Sequence, residues 1–132
     1  MLELHEKFAA LGLSGLVYTI AHELGHFATA LLLGLQPRFA WGGANDNLLN
    51  FAFGIQYANA TLLQSFLVLT GATILPLMIL AFIFLMHKDR KSESLVIAAE
   101  VFLVLIIFSF LPMPNAPDAD GSRIWAAILA GG

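Results

Sequence analysis

His22-Glu23-Leu24-Gly25-His26 lies in the middle of a long apolar run, and its reading decides the rest of the chain. In an α-helix residues four apart share a face, so His22 and His26 can aim ring nitrogens at one ion while Glu23 sits beside them. The pattern is H-E-x-x-H. Zinc hydrolysis needs two neutral nitrogen ligands, a third protein ligand, an open position for water, and a carboxylate to take the water's proton. Glu23 suits the last of these roles. Short motifs also arise by chance, and single helical histidines are more often packed than ligating. Against that, the run from Phe8 to Leu35 holds no other acidic, basic or histidine side chain, and a carboxylate at bilayer depth costs about 2.5–3.5 kcal/mol on insertion scales. A metal site accounts for that cost, and an accidental cluster does not.

Working outward, 132 residues predict a single domain spanning 1–132, and 59% hydrophobic against 11% charged residues is a membrane composition. Only six Lys and Arg are present at a net charge of −3, which excludes the electrostatic footprint of a nucleic-acid binder. Without cysteine, disulfides and thiolate zinc sites are excluded, so a metal must be held by nitrogen and oxygen. Met1 to Lys7 carries Glu3 and Glu6 and lacks a basic n-region, which predicts no cleaved signal peptide.

Three segments are long enough to span a hydrocarbon core of about 20 residues. The first is Phe8 to Leu35, where Gly12, Gly15, Gly25 and Gly34 predict close helix contacts. The second, Leu62 to Met86, is uncharged and interrupted only by Gly71 and Pro76, a scaffold span. The third starts near Ser94 and meets Pro112, Pro114 and Pro117, which predicts that the helix unwinds at Leu111 and resumes over Arg123 to Ala130. Unwound backbone at membrane depth survives only where it is buried in protein or lines a wet cavity. Asp118 and Asp120 end this stretch, so the break points to the site, with an exposed interfacial tail as the alternative.

Between the first two spans, Gln36 to Ala60 changes character, with turn chemistry at Gly42 to Asn47 and strand-like alternation from Phe51 to Ala58. A short β-hairpin and an aromatic interfacial loop both fit. The expected fold is therefore an all-α, multi-pass integral membrane protein: three transmembrane helices, the third broken, with a short β-hairpin after the first. Lys88, Arg90 and Lys91 share one membrane face with Lys7, and the positive-inside rule places that face in the cytoplasm. Glu100 lies near the start of its helix, within reach of the interface, and is assigned no chemistry.

With His22-Glu23-Leu24-Gly25-His26 on one helix and Asp120-Gly121 after a proline-rich break, the chain resembles the site-2 protease family of intramembrane zinc metalloproteases. That family carries H-E-x-x-H on the first of three core helices and Asp-Gly on the broken third, in a context like N-x-x-P-x-P-x-x-D-G. The matching stretch here is Leu111-Pro112-Met113-Pro114-Asn115-Ala116-Pro117-Asp118-Ala119-Asp120-Gly121, and Leu69-Thr70-Gly71-Ala72 resembles the family's small-residue motif in the middle helix. The family's Asn slot falls on Pro112 counted back from Asp120 and on Ser109 counted back from the prolines, leaving Asn115 as the nearest substitute. The resemblance implies a minimal zinc endopeptidase core acting on transmembrane protein substrates in the lipid bilayer. It implies Zn²⁺ on His22, His26 and Asp120, Glu23 as general base, and Asn115, with Arg123 as a further candidate, steadying the oxyanion. Asp118 competes with Asp120, which is preferred because Gly121 follows it. Two rivals stand beside this reading: a non-catalytic member of the same fold that binds membrane partners, and a membrane metal carrier.

Overall fold

The computed structural model describes residues 2–41, 53–56, 59–90, 92–112 and 119–130. The chain is mostly helical: α1 (Leu4–Leu32), β1 (Arg38–Trp41), β2 (Phe53–Gln56), α2 (Leu62–Gly71), α3 (Ile74–Arg90), α4 (Glu93–Phe110) and α5 (Asp120–Ala130). Among the described residues two helical stretches, Leu62–Lys88 and Glu93–Phe110, are long and apolar enough to cross a membrane.

α1 is the central element, packing against α2, α3 and α4. Its buried residues Ser14, Tyr18, Ala21, Gly25, His26 and Ala30 follow helical spacing and are small or polar, while Phe8, Leu11, Leu13, Leu16 and Ile20 are exposed. This is the inverse of a water-soluble helix. Of the glycines expected to mark helix contacts, Gly25 does so, Gly12 and Gly15 face open space, and Gly34 ends the helix. Gly34 takes φ 72°, its N–H reaching the Leu31 carbonyl and the Leu35 N–H reaching back to Ala30, a Schellman arrangement that only a residue tolerant of left-handed φ closes without strain.

The second apolar stretch, expected as one helix, is interrupted at Ala72–Thr73. Pro76 has no N–H for the Ala72 carbonyl, so α3 starts afresh with the proline in its first turn, where the missing donor costs nothing. The Thr73 hydroxyl closes the corner on the Thr70 carbonyl at 2.7 Å.

α4 ends one residue before Leu111. Preceding Pro112, Leu111 is forced out of helical geometry and sits at φ −79°, ψ 134°. The chain resumes helix at Asp120, three residues earlier than expected, because the Ala119 carbonyl already accepts the Arg123 N–H. Trp125 on α5 donates its indole N–H to the Phe110 carbonyl at 2.9 Å, partnering one of the groups left over at the end of α4.

α1 and α4 run in the same direction. Lys7 pairs with Glu93 at 2.7 Å at their starts, where the Leu2 N–H also donates to Glu93 at 2.6 Å. Farther along, the Tyr18 hydroxyl meets Ser109. Buried Tyr18, Leu80, Ile83, Phe102 and Ile106 form the core between α1, α3 and α4.

β1 and β2 pair antiparallel, Arg38 opposite Gln56 and Trp41 opposite Phe53. The alternating stretch Phe51 to Ala58 is described as a strand only over Phe53–Gln56, and residues 42–52, which join the two strands, lie outside the described set. Phe39 of β1 stacks on Phe27 of α1 at 4.7 Å and 4°, next in sequence to His26.

Candidate metal centre

His22 and His26 occupy successive turns of α1, their rings 4.8 Å apart and 80° to one another. Both Nε2 atoms converge on a single oxygen of Asp120, at 2.7 and 2.8 Å. That carboxylate comes from the first turn of α5, 98 and 94 residues along the chain. Side-chain exposures of 12%, 9% and 20% put all three groups inside the protein. Together they form a group that could hold a metal ion, with ligand atoms within 4.8 Å of one another.

Small residues permit this convergence. A β-carbon on Gly121 would run into the Leu111 backbone, so only glycine lets the first turn of α5 close onto the unwound end of α4 and carry Asp120 inward. On the other side, Gly71 meets Thr29 and Gly25 meets Ala72, so α1 lies directly against the corner between α2 and α3.

The hydrogen bonds reveal the protonation pattern. His26 Nδ1 lies 3.1 Å from the Val68 carbonyl, which can only accept, so Nδ1 carries the proton. In the neutral ring Nε2 is then a lone pair, and it faces a carboxylate oxygen at 2.8 Å. Two acceptors at that distance need a proton between them, and a metal ion bound by both would take that proton's place with the ligand atoms somewhat farther apart. Such an Nδ1–H to carbonyl bond is what orients metal-ligating histidines elsewhere.

Glu23 strengthens the case. Its carboxylate interacts electrostatically with His22, His26 and Asp120, and its Oε2 is buried without a hydrogen-bond partner among the described residues. Two carboxylates beside two imidazoles in a low-dielectric setting are stabilised by a dication. A tetrahedral ion with ligands at about 2.1 Å sets neighbouring ligand atoms about 3.4 Å apart; the 2.7–4.8 Å spread among the three donors brackets that figure. Two nitrogens and one carboxylate oxygen are a donor set that would fit a divalent transition-metal ion.

The residues singled out from the sequence fall into two groups. His22, Glu23, His26 and Asp120 are brought together. Asn115 and Asp118 lie outside the described residues, and Arg123 is exposed on α5. Sequence reasoning missed three participants. Tyr18, four residues before His22, stacks on its ring at 5.6 Å and 17°; helical spacing alone could have found it. Ser109, considered only as a slot for an asparagine, bonds the Tyr18 hydroxyl at 2.6 Å. The Val68 carbonyl carries no signal in the sequence, being backbone.

No family model, curated protein or solved structure matches this chain. What the fold and site define by themselves is a helical, membrane-compatible protein with a largely enclosed His-His-Asp group and a neighbouring glutamate.

Proposed function

We propose that the chain is an intramembrane zinc metalloprotease that hydrolyses peptide bonds of transmembrane substrates. The observation that carries this is the convergence of His22, His26 and Asp120, with Glu23 next to the first histidine. The resemblance of H-E-x-x-H and Asp-Gly to the site-2 protease pattern supports the same reading.

α1 serves as a third span in this proposal, since its 29 residues measure about 43 Å at 1.5 Å each and its outward residues are apolar. The multi-pass bundle then has lipid against its exposed leucines and phenylalanines, and the polar site turned inward.

His22, His26 and Asp120 would hold the zinc, which when bound would supply Lewis acidity toward a scissile carbonyl and an attacking water. The residues do the rest. Glu23 accepts the proton of that water as its oxygen bonds to the carbonyl carbon, and passes it to the leaving amine as the C–N bond breaks. Val68 keeps His26 oriented, and burial keeps bulk solvent from competing. Asn115 steadies the oxyanion in this scheme, on the resemblance alone. A helical substrate hides its carbonyls in its own hydrogen bonds, and the β1–β2 pair, anchored to α1 through Phe39 and Phe27, offers a strand edge on which it can be held extended.

A second reading has one observation in its favour. Asp120 already bonds both histidines, so a protonated His-Asp-His network could tie α5 to α1 in a non-catalytic protein that binds membrane partners. Zinc content of the purified full-length chain, together with cleavage of a model transmembrane peptide in bilayer discs, separates the two. One zinc per chain and cleavage abolished by E23Q supports the protease; a stable, folded, zinc-free and inactive protein supports the binder.

A further inference from the structure

The two histidines are held in different ways. The ring of His26 is fixed by its Nδ1–H bond to the Val68 carbonyl. His22 has no such bond among the described residues: its Nδ1 is buried and meets no hydrogen-bond partner there. A ligand ring free to turn about its Cβ–Cγ bond would present Nε2 poorly, yet His22 Nε2 sits 2.7 Å from Asp120. Something other than a hydrogen bond sets its plane.

Tyr18 is in place to do so. It lies one turn earlier on α1, is 6% exposed, and lays its ring nearly parallel to the imidazole, 17° apart with centroids at 5.6 Å. The tyrosine ring is itself pinned twice. Phe102 of α4 meets it edge-on at 5.4 Å and 84°. Its hydroxyl lies 2.6 Å from Ser109 Oγ, and because the Ser109 proton is committed to the Leu105 carbonyl at 2.9 Å, the tyrosine is the donor. Ser109 stands two residues before Leu111, where α4 unwinds. The orientation of His22 is thus tied to the same end of α4 against which Gly121, next to Asp120, packs.

We infer that Tyr18 is a positioning residue for His22, its Ser109-tethered ring replacing the outer hydrogen bond that His22 lacks. The inference rests on the zinc reading above. Tyr18 touches no reacting atom in this role; it acts by reducing the orientations open to a ligand. Outer partners of ligating histidines typically contribute about 10–100-fold in metal affinity, and a flat ring held on both sides can take that place.

The test uses the metal alone. Zinc affinity is measured by chelator competition, and the visible absorption of bound Co²⁺ reports ligand geometry independently of any cleavage. Y18L should weaken zinc about 10–100-fold and alter the Co²⁺ bands. Y18F keeps the stack and loses the tether, and should cost about two- to tenfold, the range of one net hydrogen bond. S109A should match Y18F, and Y18F with S109A together should be no worse than either. L80A, which loosens the same core without touching Tyr18's hydroxyl or His22, should lower thermal stability and leave the Co²⁺ bands in place. Wild-type affinity and bands in Y18L, with H22A losing the metal, would overturn this inference and leave the zinc site standing. A wild-type chain that binds neither metal overturns both. Should Y18L not fold, wild-type zinc affinity in both Y18F and S109A overturns the tether.

Discussion

Gly25 and Ala72 lie backbone against backbone: a β-carbon at Gly25 would stand 2.5 Å from the Ala72 carbonyl oxygen. The contact joins the two interruptions of helix chemistry that matter most here, the glycine inside H-E-x-x-H and the corner created by Pro76. Because Pro76 offers no N–H, the Ala72 carbonyl is released from the helix ladder just where α1 comes closest.

G25A should therefore separate α1 from the α2–α3 corner although alanine is the better helix former. The expected cost is about 1–3 kcal/mol, the range for overpacking a close contact. His26 would be drawn off the Val68 carbonyl at the same time, so zinc affinity should fall with stability. Thermal unfolding and chelator competition on G25A measure the two effects; wild-type values for both would show that the helices are not in this contact.

Glu23 and the histidines should separate by readout. In E23Q, cleavage should disappear while zinc stays at wild-type stoichiometry, since Glu23 transfers a proton in the proposed mechanism and does not ligate. H22A and H26A should lose metal and cleavage together. Metal analysis alongside peptide cleavage decides, and zinc lost from E23Q would make Glu23 a ligand.

Asp120 and Asp118 form the sharpest pair of variants. D120A should weaken zinc by more than the roughly 10–100-fold typical of an outer partner and abolish cleavage, whereas D118A should keep most of both. G121A removes no ligand, yet its β-carbon would meet the Leu111 backbone and displace the first turn of α5. It should weaken zinc as well. Full affinity in G121A would mean that α5 closes on α4 differently.

The strand pair should matter to substrate and not to metal. F39A removes the stack on Phe27, a contact of about 0.5–1.5 kcal/mol beyond its buried area, and proline at Gly54 removes a backbone donor from β2. Both variants should slow peptide cleavage while zinc content stays unchanged. Cleavage at the wild-type rate in both would reduce the strands to a membrane anchor.

Local chemistry was legible from the residues alone. Four-residue spacing puts His22 and His26 on one face of the helix that carries them, with Glu23 beside the pair. Pro112 ends α4 by restricting Leu111, again a matter of neighbouring atoms. The apolar stretches through Leu62–Lys88 and Glu93–Phe110 announce their length directly. The corner at Ala72 was underestimated, because a proline in a first turn and a proline inside a helix look alike until the hydrogen bonds are traced. Tertiary structure alone decided the rest. Asp120 reaches histidines 98 and 94 residues away only because α1 and α4 run side by side and Gly121 and Gly25 let backbones touch. Val68 fixes a histidine through a carbonyl that every residue possesses, and Tyr18 holds the other through a serine 91 residues distant. Proximity across the bundle depends on which backbone surfaces can approach, and periodicity along one helix does not encode it.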